Sequence, residues 1–244
     1  MSNHPVVLVP GYWLGGWVWD AVATELRSAG HRVTAVTLPG LSPDATDRAQ
    51  VTWADQVEAL SAEVQAAGPD AVLVAHSGGG SIATGVLDRA PGSVSRVVWV
   101  DSGPSSDGSV GDPDLPADLA ELPLPDFEEL AAGGASLAGL GEADLAEFRA
   151  RAVPHPAQVI RDVVSLRDPR RRDVPSTLVA CSFPSTTVRE LAASGHPMFA
   201  ELTEWSDVDY VDLPTGHWPM LSRARELAEL ITAAAQQPSV RPPH

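Results

Sequence analysis

Nine residues, Val72-Leu-Val-Ala-His-Ser-Gly-Gly-Gly80, constrain this chain more than any other stretch. An apolar run, a single hydroxyl and a run of glycines read as a buried strand, a tight turn and the first residues of a helix. Ser77 stands at the tip of the turn. The bend is sharp enough that its neighbours must be small, a need met by Gly78 and Gly79 on one side and Ala75 on the other. A glycine-rich turn of this kind can also cradle a phosphate. The chain has no lysine to complete a P-loop, so the serine is the more informative group.

The remaining pattern agrees with a strand-and-helix alternation. Of six short apolar runs, at 6–9, 33–38, 71–75, 97–100, 177–181 and 210–213, most show little polar alternation, as strands buried on both faces of a parallel sheet do. Helical stretches are expected between them at 19–29, 52–67, 79–90 and 222–235, with Gly30 as a C-terminal stop and Thr52 at a helix start. The expected fold class is α/β: a doubly wound, mainly parallel sheet of about six strands. Ligands in such sheets bind beyond the carboxyl ends of the strands, so chemistry is sought just after each run.

One interval breaks the rhythm. Residues 104–172 contain no strong strand and read as a helical cap inserted after the fourth strand, with helices at 126–132 and 142–152. The expected organisation is a core of 1–103 and 173–235, a cap at 104–172 and a flexible tail at 236–244. Residues 104–150 carry 11 acidic side chains, whereas 151–172 carry six arginines. The two halves either pair across the cap or form separate solvated faces; surface pairs contribute little in either case.

Composition excludes several classes. The formal net charge of −16 disfavours nucleic acid and anionic membranes as partners, while the apolar walls expected from Trp13 and Trp218 suit a small neutral organic substrate. Without lysine there is no lysine Schiff base. The one cysteine, Cys181, lies in an apolar run and reads as a buried thiol. No signal peptide or membrane span is visible, which makes the cytoplasm the expected compartment. No metal or cofactor is called for.

A serine hydroxyl needs a base, and the base needs an orienting acid. His217, after the last strand run, is the expected base. His196 lies between elements and reads as a surface or capping residue; His4, His31 and His244 read as surface residues. His155 belongs to the cap and is a candidate for the substrate pocket. His76 either lines that pocket or packs beside it. No carboxylate follows Cys181 at the strand end where the acid is usually sought, and Glu190 falls on a helix leading away. Asp101, at the end of the fourth strand, is the expected acid, unless it serves only an Asx turn. Asp207, Asp209 and Asp212 are fallbacks. Oxyanion donors are expected from the backbone N–H groups of Gly78 and Tyr12. Trp13 and Trp218 are expected pocket walls, and Trp17 and Trp19 core anchors.

Taken together these residues resemble the α/β-hydrolase superfamily over nearly the whole chain. The run Phe148-Arg-Ala-Arg-Ala-Val-Pro-His-Pro156, then Val163-Val-Ser-Leu166 and Val174-Pro175, resembles the cap of small esterases. That group includes plant methylesterases, hydroxynitrile lyases and bacterial pyrethroid-hydrolase-like proteins. The resemblance implies a cofactor-free Ser–Asp–His esterase using Ser77, His217, Tyr12 and Gly78 on a small, largely apolar ester or lactone. Two departures stand out: Pro10-Gly11 replaces the common His-Gly before the oxyanion loop, and no acid follows Cys181. A lyase or cyclase on the same scaffold, or a non-catalytic binding protein, are the alternatives.

Overall fold

The computed structural model describes residues 3–237, so the expected tail falls almost wholly outside the described residues, and His244 with it. Six parallel strands form one sheet in the order β2-β1-β3-β4-β7-β8. They are β1 (Pro5–Val9), β2 (Arg32–Ala35), β3 (Val72–His76), β4 (Arg96–Val100), β7 (Ser176–Ala180) and β8 (Val208–Asp212); β5 (Glu121–Leu122) and β6 (His155–Pro156) pair apart as a short antiparallel ribbon. All six expected runs are strands. The run at 33–38 is shorter than expected: β2 ends at Ala35 on the sheet edge, where its residues are half-exposed or exposed.

Helices cover both faces, which is why the inner strands lack alternation. Val7, Val9, Leu73, Ala75, Val97 and Trp99 point to one face, where they meet α2 (Trp53–Ala67), α3 (Gly79–Arg89) and α7 (Ser185–Ala193). Val6, Leu8, Val72, Val74, Val98 and Val100 point to the other, against α1 (Asp20–Ser28) and α9 (Ala224–Ala235). Helix boundaries follow local chemistry. Thr52 and Asp55 exchange side-chain and backbone hydrogen bonds and start α2. Gly30, at φ 95°, follows the last turn of α1. The expected helix at 222–235 is split: α8 (Pro219–Ser222) precedes α9, with Arg223 outside helical geometry between them.

Between β4 and β7 lie α4 (Phe127–Ala132), α5 (Glu142–Arg151), α6 (Ala157–Arg161) and the β5–β6 ribbon. Asp126 caps α4 by accepting the Glu129 N–H at 2.8 Å. The later part of this segment is tied to the sheet domain. Asp162 accepts the Trp53 N–H at the start of α2, Asp88 accepts the N–H groups of Arg167 and Asp168, and Val159, Val164 and Leu166 join the core under α2 and α3. The two charged halves do not pair as blocks. Arg161 donates to the Pro116 and Leu119 carbonyls, while Arg171 and Arg172 meet in a buried cluster with Glu201. Among the described residues no helix is long and apolar enough to cross a membrane.

Candidate active site

The strand order reverses between β1 and β3, which opens a crevice at their carboxyl ends. Four strand ends deliver side chains to it: the loop after β1 carries Tyr12 and Trp13, β3 leads to Ser77, β4 to Asp101, and the loop after β8 to His217. Among the described residues only Trp13, Ser77 and Asp101 combine a side chain with positive φ, at 65°, 51° and 44°. Such conformations cost about 1–3 kcal/mol each and persist only where the surroundings enforce them. All three strained residues bound this one crevice.

The glycines after Ser77 are explained by close approach. A Cβ on Gly78 would lie 2.2 Å from the Tyr12 ring, and one on Gly79 would lie 2.6 Å from the Pro10 carbonyl oxygen. The elbow therefore nests directly under the loop that follows β1. Neither the Tyr12 nor the Gly78 backbone N–H has an intramolecular acceptor among the described residues.

Ser77 Oγ lies 2.8 Å from His217 Nε2, and His217 Nδ1 lies 2.6 Å from Asp101 Oδ2. The carboxylate is saturated with donors. Its Oδ1 accepts the N–H groups of Cys181 and Ser182 at 3.0 and 2.9 Å, and its Oδ2 accepts the Ser182 hydroxyl at 2.7 Å. Burial alone would raise the Asp101 carboxyl; the hydrogen bonds from His217 and Ser182 outweigh it and hold the group below the usual carboxylate range. The turn after β7 thus supplies donors to an acid carried by β4. Two of the three fallback acids are engaged elsewhere: Asp212 accepts from Ser185, and Asp209 faces Arg96. Cys181 is buried, and burial pushes its thiol up.

The loop carrying His217 is held from both sides. His76 Nε2 meets the His217 carbonyl at 2.7 Å; since a carbonyl only accepts, this nitrogen carries the hydrogen. From the segment between β4 and β7, the Ser136 carbonyl accepts the His217 N–H at 2.7 Å and the Ala138 carbonyl accepts the Gly216 N–H at 2.9 Å. Ser102 donates to the Ser77 carbonyl at 2.7 Å and steadies the elbow itself.

Above Ser77 opens a cavity of about 420 Å³. Trp13, His76 and Trp218 line it, joined by Tyr12 and by Pro125, Glu129, Leu130 and Ala135 around α4. Glu129 is the one charged side chain among the described lining residues other than the titratable His217 and His76. His155 departs from expectation. It does not line the cavity but is buried behind it, with its ring 4.6 Å from that of Tyr12. His31 also departs: it is buried, and its Nδ1 lies 3.0 Å from the His4 carbonyl oxygen. Ser182, Ser102 and the α4 wall were not singled out from sequence, because hydroxyls in polar turns and one face of a short helix carry no distinguishing pattern. Among the described residues no group of three or more His, Cys, Asp or Glu side chains is arranged to hold a metal ion.

Burial sets an acid limit on this architecture. Burial and the neighbouring His217 push His76 down to about 3, and burial pushes His155 down to about 3. Unfolded histidine titrates near ~6.5. Between these values the unfolded chain binds protons that the folded chain does not, so stability falls as pH drops from about 6.5 toward 3. Each imidazole contributes a slope of ~1.4 kcal/mol per pH unit in that window. Asp101 acts the same way at lower pH, since its contribution, present above about 3.9, is lost as its depressed pKa is reached. Melting temperature is expected to fall steadily from about pH 6.5 to 5, and His155→Asn is expected to melt with a shallower pH dependence. Equal slopes in the two proteins would show that His155 is not kept neutral by folding.

A family model described as the alpha/beta hydrolase family matches residues 6–230. The chain is 30% identical over 254 residues to a carbendazim hydrolyzing esterase of Nocardioides sp. (strain SG-4G), covering 96% of this chain and 99% of that protein. It is 29% identical to methylesterase 7 of Arabidopsis thaliana, covering 97% and 98% of the two chains. The crystal structure of an Arabidopsis methylesterase superposes with a TM-score of 0.76 at 19% identity, covering 95% of this chain and 98% of that one. With a parallel sheet of this order, an elbow after its third strand and a family match over nearly its full length, the chain belongs to the α/β hydrolase family.

Proposed function

We propose that the protein is a serine esterase acting on small, largely apolar carboxylic esters or lactones through an acyl-serine intermediate. The observation that carries this reading is the hydrogen-bonded relay Ser77–His217–Asp101 at 2.8 and 2.6 Å, opening into an apolar cavity. Ser77 Oγ attacks the ester carbonyl as His217 Nε2 takes its proton. Asp101 holds the hydrogen of His217 on Nδ1, leaving Nε2 free to accept, and stabilises the imidazolium that forms. The backbone N–H groups of Tyr12 and Gly78 stabilise the oxyanion; each such donor is typically worth ~3 kcal/mol in the transition state. His217 then protonates the departing alcohol, and a water activated by the same imidazole releases the acid. No cofactor enters this sequence.

In this reading residues 104–172 serve as the cap, with α4 forming the wall that meets the substrate, on a core of 1–103 and 173–235. The relatives' names, an esterase and a methylesterase, support an ester as the bond attacked. A non-catalytic role drew its support from the missing carboxylate after Cys181. Asp101, 2.6 Å from His217, removes that support.

Alkyl fluorophosphonate provides the test. It should modify Ser77 alone, read by intact-protein and peptide mass spectrometry, with p-nitrophenyl acetate hydrolysis, read by p-nitrophenolate absorbance, lost in step with labelling. Hydrolysis that survives complete labelling of Ser77, or labelling at another residue, overturns the assignment.

A further inference from the structure

The residue after the proposed oxyanion donor Tyr12 is gripped by the segment between β4 and β7 at three points. The Trp13 N–H donates to His155 Nδ1 at 3.3 Å, the Trp13 carbonyl accepts the Val153 N–H at 3.0 Å, and the Trp13 indole Nε1–H donates to the Leu122 carbonyl at 3.0 Å. Leu122 and His155 are themselves partners across the β5–β6 ribbon, so the grip is a single unit. It clamps a residue whose backbone is in the left-handed region. Upstream, Pro10 has its φ fixed by its ring, and its carbonyl lies against Gly79. Gly11, between Pro10 and Tyr12, packs so closely on the elbow that a Cβ there would lie 2.8 Å from Ser77 Cβ, and Tyr12 is followed directly by the clamped Trp13.

We propose that His155 is a positioning residue for the oxyanion hole: by holding the Trp13 peptide and backing the Tyr12 ring, it aims the Tyr12 N–H at the developing oxyanion. The proposal rests on the serine-esterase reading and adds to it a role for a side chain that touches neither substrate nor Ser77. Two features argue that the imidazole is there for its acceptor nitrogen rather than as filler. Because Nδ1 accepts, Nε2 carries the hydrogen, and that N–H is buried without a partner among the described residues. An apolar side chain would leave no such orphan. Burial also keeps the ring neutral, so the Nδ1 lone pair stays available at working pH.

The experiment compares wild type with His155→Leu, using p-nitrophenyl acetate as substrate, an alkyl trifluoromethyl ketone as transition-state probe and the corresponding alcohol as ground-state ligand. Misaiming one donor is expected to lower kcat about 10²-fold with KM changed less than about threefold. Ketone affinity should fall by a similar ~10²-fold, while alcohol affinity stays within about threefold. A merely structural loss would weaken both ligands together. Unchanged kcat and ketone affinity in His155→Leu, with wild type active and labelled at Ser77 by fluorophosphonate, overturns the positioning role alone. A wild type that is neither active nor labelled overturns the esterase reading as well. If His155→Leu melts below the assay temperature, His155→Asn and His155→Gln decide. Asn keeps an acceptor near the Nδ1 position and should retain kcat within about threefold; Gln places its acceptor one bond further and should not. Equal kcat in these two variants overturns the proposal.

Discussion

Ser77→Ala is expected to reduce p-nitrophenyl acetate turnover by about 10⁴–10⁶-fold while leaving the melting temperature within a few degrees of wild type. The size of the loss follows from what one atom does. Oγ is the only group at the tip of the bend, and its hydrogen bond to His217 Nε2 at 2.8 Å is the only route for its proton. Alanine keeps the Cβ, so the strained φ of 51° is neither relieved nor worsened. His217 keeps its bonds to Asp101, and its Nε2 faces the cavity, where water replaces the hydroxyl. Fold and binding should survive while bond-making is lost. Near-normal turnover in this variant would remove Ser77 from the reaction.

The second large effect is expected at Asp101→Asn, a change of one atom that should cost up to about 10⁴-fold in kcat/KM. Oδ1 faces two backbone N–H groups, from Cys181 and Ser182, so the amide oxygen must take that side. The amide NH₂ is then turned toward Ser182 Oγ and His217 Nδ1, positions where the carboxylate accepted. An NH₂ that donates to Nδ1 forces the histidine hydrogen onto Nε2. That nitrogen would then donate to Ser77 Oγ instead of accepting from it, and the base would hold the wrong tautomer. Circular dichroism should show an intact fold. A loss of less than about tenfold would place the orienting acid elsewhere.

The four inner strands were readable because a parallel strand covered on both faces must be apolar along its whole length; the edge strands β2 and β8, which carry polar residues and are only partly covered, gave less pure runs. Ser77 was readable for a different reason: small residues at 75, 78 and 79 around one hydroxyl point to a sharp bend, and the contacts of Gly78 and Gly79 add a second need for smallness, the close approach of the loop after β1. Asp101 was harder to read. A strand-end aspartate followed by Ser102-Gly103 looks the same whether it caps its own turn or reaches a distant histidine. What separates the two is Ser182, 81 residues away in sequence, whose N–H and hydroxyl hold the carboxylate in place. The β5–β6 ribbon and α6 escaped notice because two to five residues cannot establish a period. His155 was read as a pocket residue and is instead buried against Tyr12, because periodicity does not say whether a side chain faces a ligand or the loop beside it.

The hold of the β4–β7 segment on Gly216 and His217 through its Ser136 and Ala138 carbonyls bears on how this enzyme can be re-engineered. Transplanting the corresponding insert from a relative would change the shape of the pocket and, in the same cut, unfasten the loop that holds the His217 imidazole against Ser77. Retuning substrate preference should therefore proceed by exchanging side chains at Pro125, Leu130 and Ala135, with the main chain at 136–138 left untouched.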